Sequence, residues 1–135
     1  MNRPIELTQD ECRELLGAGQ VGRVAVATPN GPRIVPVNYA VDGDALVFRT
    51  APYSELGTYG LNADIAFEVD QLDYEEHQGW SVVAVGRATP VDDPADVAEI
   101  RSSWDPNPWV GGRRNLYLRL VWRDLTGRRI VHAEH

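Results

Sequence analysis

Lysine is missing from this chain: all 13 residues counted as Lys plus Arg are arginines. That excludes chemistry needing a lysine amine, namely Schiff bases, a lysine-anchored pyridoxal phosphate and the Walker A phosphate loop. Cysteine occurs once, at Cys12, so there is no intrachain disulfide and no paired-cysteine zinc or redox motif. Histidine is nearly as scarce, with His77 followed only by His132 and His135. A Ser-His-Asp triad or a histidine-rich metal site would have to be built on His77, which sits in the polar run Asp73–Gln78 and reads as a solvated loop. The terminal pair could take up a metal adventitiously, but frayed chain ends rarely hold a site. No catalytic side chain and no metal set is therefore expected.

Long hydrophobic runs are absent too. No stretch approaches the roughly 18–20 apolar residues of a membrane span, and the first residues lack a signal-peptide core. The expectation is a cytoplasmic protein with no membrane association. Net charge is −7 at pH 7, and the arginines form no basic stripe, which speaks against nucleic acid as a partner.

What is present suits one globular domain over residues 1–135: 43% hydrophobic and 24% charged residues are ordinary for a packed core. Thr8-Gln-Asp-Glu11 has the form of a capping box. Leu7 and Cys12 are placed as its hydrophobic staple, and Cys12, Leu15 and Leu16 give the apolar face of a helix over about 9–17. Residues 21–28, 33–41 and 45–50 read as a three-strand meander, with turns at Asn30-Gly31 and Asp42-Gly43-Asp44. Pro36 lacks an N–H and so needs an edge, a bulge or a barrel corner.

A short glycine-interrupted helix capped by Ser54 follows, then strands at 63–70 and 80–89, with Gly86 marking a bulge or close approach. Asp92-Asp93-Pro94 starts a third helix whose apolar side is Val97, Ile100 and Trp104. Alternation over 116–123 gives another strand, and Thr126-Gly127 is expected to turn into a last short one at 129–131. The order is α-βββ-α-ββ-α-ββ. Short antiparallel strands with short helices predict a mainly β fold, a small closed or nearly closed barrel of six to seven strands.

Four segments in this order resemble the pyridoxamine 5′-phosphate oxidase-like, FMN-binding split-barrel family. They are Arg33-Ile-Val-Pro-Val-Asn-Tyr39, Phe48-Arg-Thr-Ala-Pro-Tyr-Ser54, Gly79-Trp-Ser81 leading to Gly86-Arg-Ala88, and Thr126-Gly-Arg-Arg-Ile130, and the resemblance spans about 5–131. It implies a homodimer with FMN in a groove at each end of the subunit interface, a small-molecule redox substrate and oxidoreductase chemistry. A deazaflavin is the variant cofactor. Carried over residue by residue, it places Arg33 and Asn38 near the flavin ring and ribityl chain, and Thr50 and Ser54 at the phosphate. Arg49 is a further cation, and Ser81 with Trp80 lies at the ring. Trp109, Arg113 and Arg114 are implied contacts to the partner subunit.

One position departs from the pattern. After Ser54 the family carries a phosphate-clamping Lys or Arg; this chain has Glu55. At ~4 Å and an effective dielectric of ~20, each unit-charge pair is worth ~4 kcal/mol before hydration and screening. A sign reversal there opens the alternative of a split-barrel dimer that has lost flavin and acts as a non-catalytic binding module.

Overall fold

The computed structural model describes residues 2–19, 21–103 and 116–132. Its order is β1 (Asn2–Glu6), α1 (Gln9–Ala18), β2 (Val21–Thr28), β3 (Gly31–Asp42), β4 (Ala45–Thr50), α2 (Glu55–Tyr59), β5 (Ala63–Asp73), β6 (Gln78–Pro90), α3 (Pro94–Ser103) and β7 (Leu116–His132). The strands run β1-β7-β4-β3-β2-β5-β6, and β6 pairs back onto β7. That last ladder closes six strands into an antiparallel barrel, with β1 attached outside on β7.

Strict alternation builds the wall. In β2, Val24 and Val26 are buried while Arg23 and Ala25, alternating with them, are exposed. Phe48, Phe67, Val82, Leu118 and Leu120 join them inside the barrel. A second, smaller cluster of Val47, Ile100 and Tyr117 lies outside, where α3 covers β4 and β7. Gly22 is glycine because Phe67 lies over it, and any Cβ there would run into the ring.

Helix α1 plugs one mouth of the barrel. Its capping box is complete: Glu11 N–H donates to Thr8 Oγ1 at 3.2 Å, and Thr8 N–H donates to Glu11 Oε1 at 3.0 Å. Cys12 and Leu16 are fully buried, so the thiol is a packing group, and burial pushes its pKa up. At the other end Tyr39 OH donates to Leu16 O at 2.5 Å, satisfying one of the carbonyls a helix end leaves open. The Tyr39 ring meets Phe67 edge-on, 4.6 Å between centroids.

Pro36 lies opposite Arg23 of β2, and the β3–β4 ladder begins only at Tyr39. Its other flank carries no strand among the described residues, so the missing N–H costs no ladder bond. Gly86 sits at a register shift against β7, with Val121 O in the space of a side chain.

Three expectations are corrected. The expected order began with a helix, but β1 precedes it and pairs with the C-terminal part of β7, Pro4 against Ile130. Only Ile5 in that segment reads as a strand former, and the exposed ladder of β7 supplies what propensity does not. The turn at Thr126-Gly127 is also not made: β7 continues from 116 to 132. Gly127 is there for close approach, since Leu7 and Cys12 press against it and Leu7 N–H donates to its carbonyl at 3.0 Å. Similarly, the loop through His77 shrinks to a four-residue turn between β5 and β6, with His77 at φ 53°.

Candidate functional site

The β4–α2 corner is built by one hydroxyl. Ser54 caps α2 by accepting from Gly57 N–H at 3.0 Å, and its own proton goes to Ala51 O at 2.7 Å. Thr50 Oγ1 stands 3.0 Å from Ser54 Oγ. A hydroxyl has one proton to give. With the Ser54 proton on Ala51, Thr50 is the donor of the second bond. Both protons are thus used inside the protomer. Thr50 is 5% exposed, and its side chain turns inward with Phe48.

Arg33 reaches this corner from β3. It stands opposite Val26, on the inward side of the strand but past the core, and its Nε lies 3.5 Å from Glu55 Oε1. Both side chains are about half exposed, and such pairs are worth ~0–1 kcal/mol. A phosphate monoester carries about −1.5 to −2 charges at pH 7. Against it the corner offers, among the described residues, one cation already facing a carboxylate and two hydroxyls whose protons are engaged. As folded, the corner does not fit a doubly charged phosphate.

The remaining expected site residues lie elsewhere. Val37 and Tyr39 are in the core, so Asn38 between them faces outward, opposite Val21 of β2. Arg49 pairs with Tyr117, which puts it on the outer face that α3 covers, opposite in sense to Thr50. Ser81 is on the outer face of β6, between Asp70 of β5 and Arg128 of β7. Two strands separate Asn38 from Ser81, about 14 Å at the usual strand spacing. Trp80 turns the other way, partly packed on the core, and lines a cleft of about 660 Å³ with Gln71, Leu72 and Arg129. Its row, Gln71–Trp80–Arg129, is five residues along β5 from the row holding Ala66, Ala25 and Ile34, about 17 Å away. Arg33, Thr50 and Ser54 come together; Asn38, Arg49, Trp80 and Ser81 do not join them within one protomer. Trp109, Arg113 and Arg114, like Trp104, lie outside the described residues.

The outer face also carries a polar group that sequence reading passed over. Arg23 Nη1 lies 2.7 Å from Glu68 Oε1 and 3.4 Å from Asp70 Oδ2. Burial, with Asp70 alongside, pushes the Glu68 carboxyl above its ordinary range, against the pull of Arg23. The signal was present: Glu68 and Asp70 are two apart on a strand and must share a face. Beside them Ala25, Ile34, Ala66 and Val83 floor a shallow groove of about 260 Å³. Ile34 is 72% exposed.

The sequence matches the family model described as pyridoxamine 5′-phosphate oxidase over residues 8–129. The chain belongs to that family. An uncharacterised protein of Mycobacterium tuberculosis is 34% identical over 132 residues, covering 94% of this chain and 86% of that one. Among solved structures, an FAD-binding protein from Mycobacterium smegmatis superposes with a TM-score of 0.76 at 32% identity, over 94% of this chain and 98% of the other. A crystal structure from Corynebacterium glutamicum, provisionally assigned as a pyridoxamine 5′-phosphate oxidase, gives 0.81 at 31% identity, over 98% and 96%. No helix among the described residues is long and apolar enough to cross a membrane.

Proposed function

We propose that this family member is a flavin-binding oxidoreductase acting on a small-molecule redox substrate, and that it works as a homodimer. A bound flavin supplies the hydride and electron transfer; the chain's own residues position it and shield it. The observation that carries the reading is the division of the expected site residues between an inner corner and an outer sheet face. One protomer cannot wrap a ligand around both, whereas a second copy seated on the outer face closes a site between them. The exposed Ile34 and its alanine neighbours supply the apolar surface such a seam needs. The 32% identical FAD-binding relative supports the cofactor class. In this reading Arg33 meets the phosphate end, Thr50 and Ser54 shape the corner, and Asn38 and Ser81 reach the ring across the seam, while Arg49, on the side that α3 covers, and Trp80, packed on the core, lie off it.

The flavin-free binding module is the second reading, favoured by the corner's misfit to a dianionic phosphate. Two measurements separate the readings. Light scattering at micromolar concentration should give twice the 15.0 kDa chain mass; a mass near 15 kDa ends the dimer proposal. A visible spectrum before and after adding FMN or FAD should show a bound, red-shifted flavin band. A dimer that binds neither is the flavin-free module.

A further inference from the structure

We propose that Glu55, through its pairing with Arg33, makes the phosphate corner select against a terminal phosphate monoester. It favours a flavin whose phosphate there is singly charged because it is bridged to a second phosphate, as in FAD over FMN. This rests on the flavin reading above and adds which flavin.

Charge and donor supply at one place decide the preference. The terminal phosphate of FMN carries close to two charges at neutral pH, as phosphate monoesters do. Each phosphate of the FAD pyrophosphate has one ester and one anhydride bond and carries one charge. At the corner, Arg33 contributes one positive charge and Glu55, 3.5 Å from its Nε, one negative. Among the described residues these two sum to zero, so a monoester sets both of its charges against Glu55, whereas a pyrophosphate sets one there and carries its second one phosphate further out. The two hydroxyls do not make up the difference, because the Thr50 and Ser54 protons are held at Ser54 Oγ and Ala51 O. Redirecting the Ser54 proton would take its bond from Ala51 O. Arg33 keeps further N–H groups beyond Nε, enough to meet one charge without leaving Glu55. The carboxylate thus reduces the value of the second phosphate charge, the property by which FMN and FAD differ at this point.

The test uses one ring with three tails: riboflavin, FMN and FAD, titrated into the purified protein by fluorescence quenching. The wild type should bind FAD at least tenfold more tightly than FMN, and FMN no better than riboflavin. Glu55→Gln keeps the shape and removes the charge. It should raise FMN affinity at least tenfold, about 1.4 kcal/mol, FAD affinity less than threefold, and riboflavin affinity not at all. Glu55→Lys should move FMN further in the same direction. Wild-type FMN binding as tight as FAD overturns the selectivity while leaving the flavin reading intact. Equal gains for all three ligands in Glu55→Gln show a general effect and overturn it too. Binding of none of the three, by wild type or variant, removes the flavin reading along with it.

Discussion

The β4–α2 corner and the outer face of the β2–β3–β5–β6 wall are made of the same short strands, yet they differ in completeness. At the corner, Thr50, Ser54, Ala51 and Gly57 satisfy one another, and Arg33 already has Glu55. On the outer face Ile34 stands 72% exposed, above a groove that the protomer does not fill. A hydroxyl-rich motif can therefore be explained by folding alone, while a plain alanine and isoleucine strip is the surface that needs something else. Residue type misleads at these two places because satisfaction, not polarity, decides whether a group remains available to a ligand.

The largest expected effect tests the incomplete side. Ile34→Glu should weaken the dimer at least a hundredfold, since a carboxylate buried without a partner in a seam is strongly unfavourable. In the protomer the side chain is mostly in water, so unfolding free energy should change by no more than about 0.5 kcal/mol. Sedimentation and urea melts on one preparation measure both. A dimer that survives intact places the seam on another surface.

The complete side of the molecule is sharpened by pH. Tyr39 is buried in the core and its pKa is raised to about 12, by burial first, with a backbone hydrogen bond lowering it. The unfolded phenol titrates near 10. Below pH 10 both states hold the proton and stability is unaffected; between about 10 and 12 only the unfolded state releases it. Stability should therefore fall with rising pH across that window, by on the order of 2 kcal/mol. The chain has no lysine to confuse the titration. Tyr39→Phe should flatten most of that fall in urea melts at pH 9 and 11.5. It should also cost about 1–2 kcal/mol at neutral pH by leaving Leu16 O unsatisfied.

The same contrast measures what sequence made legible. Alternation and turn residues placed β2 to β6 within a few residues, because a strand with one buried face must repeat every second position. The capping box and the Asp93 cap of α3, whose Oδ1 accepts from Ala95 N–H at 2.9 Å, are local and were readable. Strand β1 and the unbroken β7 were not, because each depends on a distant partner: β7 for one, the Leu7–Cys12 contact at Gly127 for the other. At the site, the resemblance supplied positions but not directions. Arg49 and Thr50 are adjacent and face opposite ways, and only the ladder with β7 shows which is which. The Arg33–Glu55 pair joins residues 22 apart and has no local signature.

Ser54→Ala is expected to be a matter of folding. Losing the cap should cost about 1 kcal/mol, seen as a lower urea midpoint. Because its proton is not directed outward, flavin affinities should stay within about twofold. A large selective loss of FMN or FAD binding would instead make Ser54 a phosphate donor, and the corner could no longer be regarded as closed to ligands.

The smallest expected effect is on stability in Glu55→Gln. The pair it breaks is half exposed on both sides, and α2 loses an acidic residue from its first turn. Exposed pairs and first-turn charges each contribute a few tenths of a kcal/mol, so the total should not exceed about 1 kcal/mol at low salt. Raising salt to 1 M, where the Debye length is about 3 Å, should erase most of the difference between variant and wild type. That screening separates a surface charge effect from a structural one. A loss well above 1 kcal/mol that persists in salt would mean Glu55 holds the corner's shape. Any change in flavin preference would then follow from a rebuilt α2 rather than from the sign of one carboxylate.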